Sequence, residues 1–126
     1  MDLSLSEDQA MIQDMARKFA QTELAPVAEK LDQEGDRALF LSHLKQLAEL
    51  GFMGLNVDAE YGGSQAGSVA FSLVITELAR ACASTAVSVS VTNMVAEVIQ
   101  VVASEQQKSQ YLPKLCSGDY ASGGFC

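Results

Sequence analysis

The side chains in this 126-residue sequence best suited to nucleophilic or metal chemistry are Cys82, Cys116, Cys126 and the single histidine, His43. The cysteines are 34 and 10 residues apart, form no CxxC pair and have no histidine beside them in sequence. Neither a zinc site nor a disulfide framework is expected from that spacing, and buried free thiols are the natural reading. His43 lies on a segment whose apolar side is Phe40, Leu44 and Leu47, so it is expected to face water. Glu77 and Arg80 stand three apart and are expected to form a surface or half-buried ion pair instead of acting as acid and base. Glu97 is read as an exposed stripe on an otherwise apolar helix. Five glycines between positions 51 and 67 could suggest a phosphate cradle, but the GxGxxG and GxxxxGK[ST] patterns are missing and Asp58 and Glu60 intrude. That stretch is expected to be a packed connection. No catalytic constellation and no metal site emerges from the residues alone.

The elements that position these groups read as helices. Ser6 with Gln9 forms a capping box, followed by Met11, Ile12, Met15 and Phe19 at helical spacing. Pro26 ends or kinks this helix near Ala25, and a continuation through Val27, Ala28 and Leu31 closes at Gly35. A helix with Phe40, Leu44, Leu47 and Ala48 stops at Gly51. Ser68 is expected to cap the next, whose apolar set is Phe71, Val74, Ile75, Leu78, Ala79 and Cys82. Ala83-Ser84-Thr85 should break and re-cap. The run Val87-Ser88-Val89-Ser90-Val91 alternates like a strand, yet Val91, Met94, Val95, Val98, Ile99 and Val102 keep a helical period. A helix over about 85–103 is therefore expected, apolar nearly all round and central. Ser104 with Gln107 opens a last short helix that nears its end at Pro113, and Gly118-Asp119-Tyr120 reads as a turn. The fold class is all-α, five to six helices in an orthogonal or antiparallel bundle around the 69–82 and 85–103 pair.

Eight Lys and Arg oppose sixteen Asp and Glu, a net charge of −8, and nine of the acids fall in the first 36 residues. This balance argues against nucleic acid and against anionic membrane surfaces. The uncharged run 81–96, unsurpassed in length in this sequence, is short and rich in Ser and Thr, so membrane insertion is not expected; no signal peptide is seen at the start.

Three stretches resemble the acyl-CoA dehydrogenases. Leu50-Gly51-Phe52-Met53-Gly54-Leu55 with Glu60-Tyr61-Gly62-Gly63 is similar to their "LG..G...P..YGG" stretch. Glu77 through Ala86 (ELARACASTA) is similar to their "ELAR.d.S.a" helix end. Glu105-Gln106-Gln107-Lys108 through Tyr111-Leu112-Pro113-Lys114-Leu115 to Ser117-Gly118 is similar to "EeQK..yLP.L.sGe". They occur in the family's order and at its spacing. The resemblance implies the family's N-terminal helical domain over 1–119, with 120–126 as the first residues of a middle β-domain, so that the chain is expected to be the N-terminal piece of a longer protein.

For that longer protein the resemblance implies α,β-dehydrogenation of an acyl-CoA thioester, with FAD as cofactor. It implies an electron-transfer flavoprotein as redox partner and a homotetrameric or homodimeric assembly. The location implied is the bacterial cytoplasm or the mitochondrial matrix. No catalytic residue is expected in this chain, because the family's base lies in its C-terminal domain. The helical domain would supply one wall of the acyl slot at Ala86, Val87, Ser90 and Met94, and Phe125 and Cys126 would begin the flavin-lining strand; binding of FAD to this piece alone is expected to be weak or absent. The reading from a different class is a non-catalytic helical module that holds an acyl chain or a protein partner.

Overall fold

A computed structural model describes residues 3–125, and among them there are six α-helices and no strand. Helix α1 (Glu7–Phe19) starts at the capping box, with the Ser6 hydroxyl accepting from the Gln9 amide and the Gln9 side chain accepting from Ser6 N–H. It widens into one π-helical turn (Ala20–Leu24) and ends in a turn around Pro26. Next come α2 (Ala28–Glu34) and α3 (Arg37–Glu49). At the end of α3 the Gly51 N–H bonds Ala48 C=O and the Phe52 N–H bonds Leu47 C=O, with Gly51 at φ +82°. This is a Schellman closure, and the positive φ is why a glycine stands there. A connection with one 3₁₀ turn (Ala59–Tyr61) leads to α4 (Ser68–Ala81), α5 (Ala83–Val102) and α6 (Glu105–Cys116), the last opened by the Ser104/Gln107 capping box.

Packing runs in sequence through the bundle: α1 lies on α4, α4 on α5 and α5 on α6, with α3 also touching α5. The main core gathers Phe19, Leu24, Leu44, Leu47, Phe52, Met53, Leu55, Val74, Leu78, Ala86 and Val89. A smaller one, Val57, Tyr61, Ala96, Leu112, Leu115 and Cys116, joins the connection to α5 and α6.

Several expectations change at the level of contacts. Gly67, not Ser68, occupies the N-cap of α4, and no side chain caps it. The break before α5 is the single residue Cys82, extended at φ −152°, ψ 106°, one position before the expected break. Helix α6 continues three residues past Pro113. His43 is buried, because α3 turns it onto the edge of Phe19 with ring centroids 6.2 Å apart and planes at 88°. The Glu77–Arg80 pair exists, but Glu77 is 3% exposed and its shortest partner is Arg17 of α1 at 3.0 Å, with Gln13 at 3.1 Å and Arg80 at 3.5 Å. It pins α1 to α4.

The helix expected to be buried all round has one bare side. Its buried residues are Thr85, Ala86, Val89, Thr92, Asn93 and Ala96, the i, i+1, i+4, i+7, i+8, i+11 set of one helix face. Local β preference in the Val-Ser alternation is overridden by packing of α5 on α4 and α6, and the Ser88 and Thr92 hydroxyls find partners inside the helix, donating to the carbonyls of Ser84 and Ser88 at 3.0 and 2.7 Å. At 20 residues and mean hydropathy 1.4, α5 is long and apolar enough to cross a membrane by length and composition, yet its polar residues here bind protein groups.

Asn93 does most of that binding. Its Oδ1 accepts from Leu55 N–H at 2.7 Å, while Nδ2 donates to the carbonyls of Phe52 and Val89 at 2.8 and 2.9 Å. One and two turns on, Glu97 accepts from Asn56 Nδ2 at 2.6 Å and Gln100 accepts from Asp58 N–H at 2.7 Å. The connection after α3 is thus zipped to α5 by residues spaced four and three apart. Truncation of Asn93 to Ala is expected to cost about 2–4 kcal/mol, because two buried loop groups lose their partner; urea unfolding measures it. Arg17 holds the Glu77 carboxyl below the ordinary value of 4.5, against the opposing effect of burial. That ion pair stabilises above pH 4.5 and is lost as pH falls through the lowered folded value; in Glu77→Gln this part of the acid unfolding curve is expected to flatten.

Candidate functional site

Helix α5 brings Val87, Ser90 and Met94 onto one side, spaced three and four apart, and Val98 and Val101 extend the row. Val87 is 60% exposed and Met94 47%, with Ser90 half-buried between them. Ala86 sits at the edge of the row and turns into the core at 3% exposure, about 100° round the helix from Val87. The open wall is therefore apolar but for one hydroxyl, and the three outward residues carry it. It can bind hydrocarbon by burial; it has no group to move a proton. Glu97 flanks it, half-buried, with its carboxylate engaged by Asn56.

Residues 121–125 follow the turn after α6, and Gly123 touches another side of α5. Gly123 N–H donates to Thr92 Oγ1 at 3.0 Å. Phe125 follows with its ring 59% exposed, and no strand forms there. Cys126 lies outside the described residues.

Cys82, Cys116 and Tyr61 are shifted by their surroundings inside the domain. Burial pushes the Cys82 thiol up, but bonds with the Ser84 and Thr85 hydroxyls at 3.3 and 3.2 Å more than offset this and leave it below the ordinary 9.0. Burial alone raises Cys116 to about 11. Tyr61 donates to Glu105 at 2.8 Å, which raises the phenol to about 12. Among the described residues no group of three His, Cys, Asp or Glu could hold a metal ion. A cavity of about 430 Å³ between the ends of α5 and α6 is lined by Ile99, Val102, Ala103, Gln107 and Tyr111, without a nucleophile or base beside it.

The glycine-rich connection is packed against its own domain at two of its glycines. A Cβ on Gly54 would strike the Cys116 sulfur and one on Gly63 the Val57 carbonyl, so these glycines serve internal packing. The amides of Leu55, Asp58, Ser64 and Ala66 are already bonded inside the domain. Phe125, 59% exposed, is the aromatic side chain that residues 121–125 present to the outside.

The expected wall residues all lie on α5, and the polar residues that tie this helix to its surroundings, Asn93, Gln100 and Thr92, were not singled out from the sequence. An Asn in the middle of an otherwise apolar helix was a signal for the first, since a buried amide must find partners.

The sequence pattern described as "Acyl-CoA dehydrogenase, N-terminal domain" matches residues 6–119. A probable acyl-CoA dehydrogenase of Bacillus subtilis is 35% identical over 126 residues, covering 99% of this chain and 32% of that protein. Mitochondrial isobutyryl-CoA dehydrogenase of Dictyostelium discoideum is 38% identical over 115 residues, covering 91% and 27%. The structure of butyryl-CoA dehydrogenase from Megasphaera elsdenii superimposes with a TM-score of 0.80 at 30% identity, over 94% of this chain and 32% of that one. The chain spans about a third of the length of these relatives, which include bacterial and mitochondrial proteins.

His43, the only histidine, has a buried Nδ1 without a hydrogen-bond partner, and burial lowers its pKa from 6.5 although Glu23 opposes this. The unfolded chain therefore takes up a proton that the folded ring refuses. Stability is expected to fall as pH drops below about 6.5, before the carboxylates titrate, and His43→Phe should abolish that portion; denaturant midpoints at pH 7.5 and 5.5 measure it.

Proposed function

This chain belongs to the acyl-CoA dehydrogenase family as its N-terminal helical domain, and from that premise we propose that the complete protein oxidises an acyl-CoA thioester between its α and β carbons. The observation that carries the proposal is the open apolar row Val87–Ser90–Met94 on a domain of this family. Burial of a methylene chain against such a wall contributes about 0.8 kcal/mol per CH₂ and needs no polar partner. Ser90, small and half-buried, leaves room in the middle of the row.

FAD, when bound, would accept the β hydride, which carries both electrons of the oxidation. The residues of this chain do no proton transfer in that scheme. They align the acyl tail and exclude water from one side, and the catalytic base comes from polypeptide beyond position 126. Electron-transfer flavoprotein as acceptor, a homo-oligomeric assembly, and a bacterial-cytoplasmic or mitochondrial location complete the reading.

The test uses the complete protein. It is expected to be yellow and to reduce its flavin on adding a saturated acyl-CoA. Met94→Trp fills the row and should lower kcat/KM for a long acyl chain by about tenfold or more while sparing a short one. Equal losses for both chain lengths would remove the wall from the substrate site.

A further inference from the structure

We propose that Thr92 and Val95 form a rail on α5 that holds residues 121–125 and thereby positions Phe125 relative to the acyl-facing row. The inference rests on the functional reading above. Thr92 is fully buried, and its hydroxyl proton is committed to Ser88 C=O at 2.7 Å. Its oxygen is therefore an oriented acceptor, and it takes the Gly123 N–H at 3.0 Å. The approach is close. A Cβ at position 123 would lie 2.9 Å from Val95 Cβ and 3.1 Å from both of its γ carbons, and a short β-branched side chain has no room to retreat.

The same segment is tied at its start, where Tyr120 N–H bonds Lys114 C=O at 3.0 Å and Lys45 pairs with Asp119 at 3.5 Å. Two anchors three residues apart leave this stretch little freedom. Phe125 follows two residues after the second, so it cannot lie more than about 7 Å of chain from Gly123. Val95 and Met94 are neighbours on α5, about 100° apart around its axis. One helix thus carries the acyl wall on one side and the seat of the segment bearing Phe125 on the next. Thr92 and Val95 are positioning residues, acting through Gly123.

The experiment compares Thr92→Val, Thr92→Ser and Gly123→Ala in the complete protein, by amide hydrogen exchange over 121–125, the visible flavin spectrum, and separate kcat and KM. Thr92→Val keeps the shape and removes the acceptor. It and Gly123→Ala are expected to speed exchange in the segment by about tenfold, to shift the flavin bands, and to lower kcat more than KM changes. Thr92→Ser, which retains the oxygen, should behave as the parent. Unchanged exchange and spectrum in Thr92→Val would overturn the rail. A parent protein that binds no flavin would instead sink the functional reading, while the exchange contrast between Val and Ser at position 92 would still decide the rail.

Discussion

A buried amide on an apolar helix must be satisfied from outside that helix or at its expense, and Asn93 resolves this by bonding the backbone on both sides of the sharp turn after α3. Removed from water, each such bond is strengthened by the low-dielectric surroundings, and each unmade one would be costly. The pairing therefore selects one register between connection and helix. Glu97 and Gln100 repeat the contact on the same side of α5. With that side of the helix consumed, the row of Val87, Met94, Val98 and Val101, about a quarter turn round the helix, is left bare.

The second constraint is electrostatic. Glu77 is the charge most deeply withdrawn from solvent among the described residues, and it is tolerated because two guanidinium groups and an amide converge on it from α1 and α4. Such a pair adds little net stability but penalises any packing of α1 that separates the partners. Together with Asn93 it orients α1, α4, α5 and the connection, so that apolar contacts such as Phe19, Leu78 and Val89 fill a core whose geometry is already specified.

Function follows from what these constraints leave unused. Cys82, Cys116 and His43 are buried, and Gly54 and Gly63 pack against Cys116 and Val57. An apolar row and an extended segment ending in an exposed aromatic ring remain for outside partners. Under the proposed function, such a domain would shape one side of a hydrocarbon site and leave the chemistry to a cofactor and to other parts of the protein.

The amino-acid sequence by itself determined the number and approximate extent of the helices, because capping boxes at Ser6 and Ser104, a glycine after α3 and a 3.6-residue apolar period are local signals. It also carried the family motifs and placed the candidate wall on α5. Which face of α5 is covered was decided only by tertiary structure, since valines surround that helix and periodicity cannot rank equally apolar sides. The inward turn of His43 and Ala86, the capture of Glu77 by Arg17 sixty positions earlier, and the seating of Gly123 on Thr92 depend on contacts between residues distant in the chain. Local patterns encode helices because a helix closes its own hydrogen bonds; which side chains lose their water is settled when the helices meet.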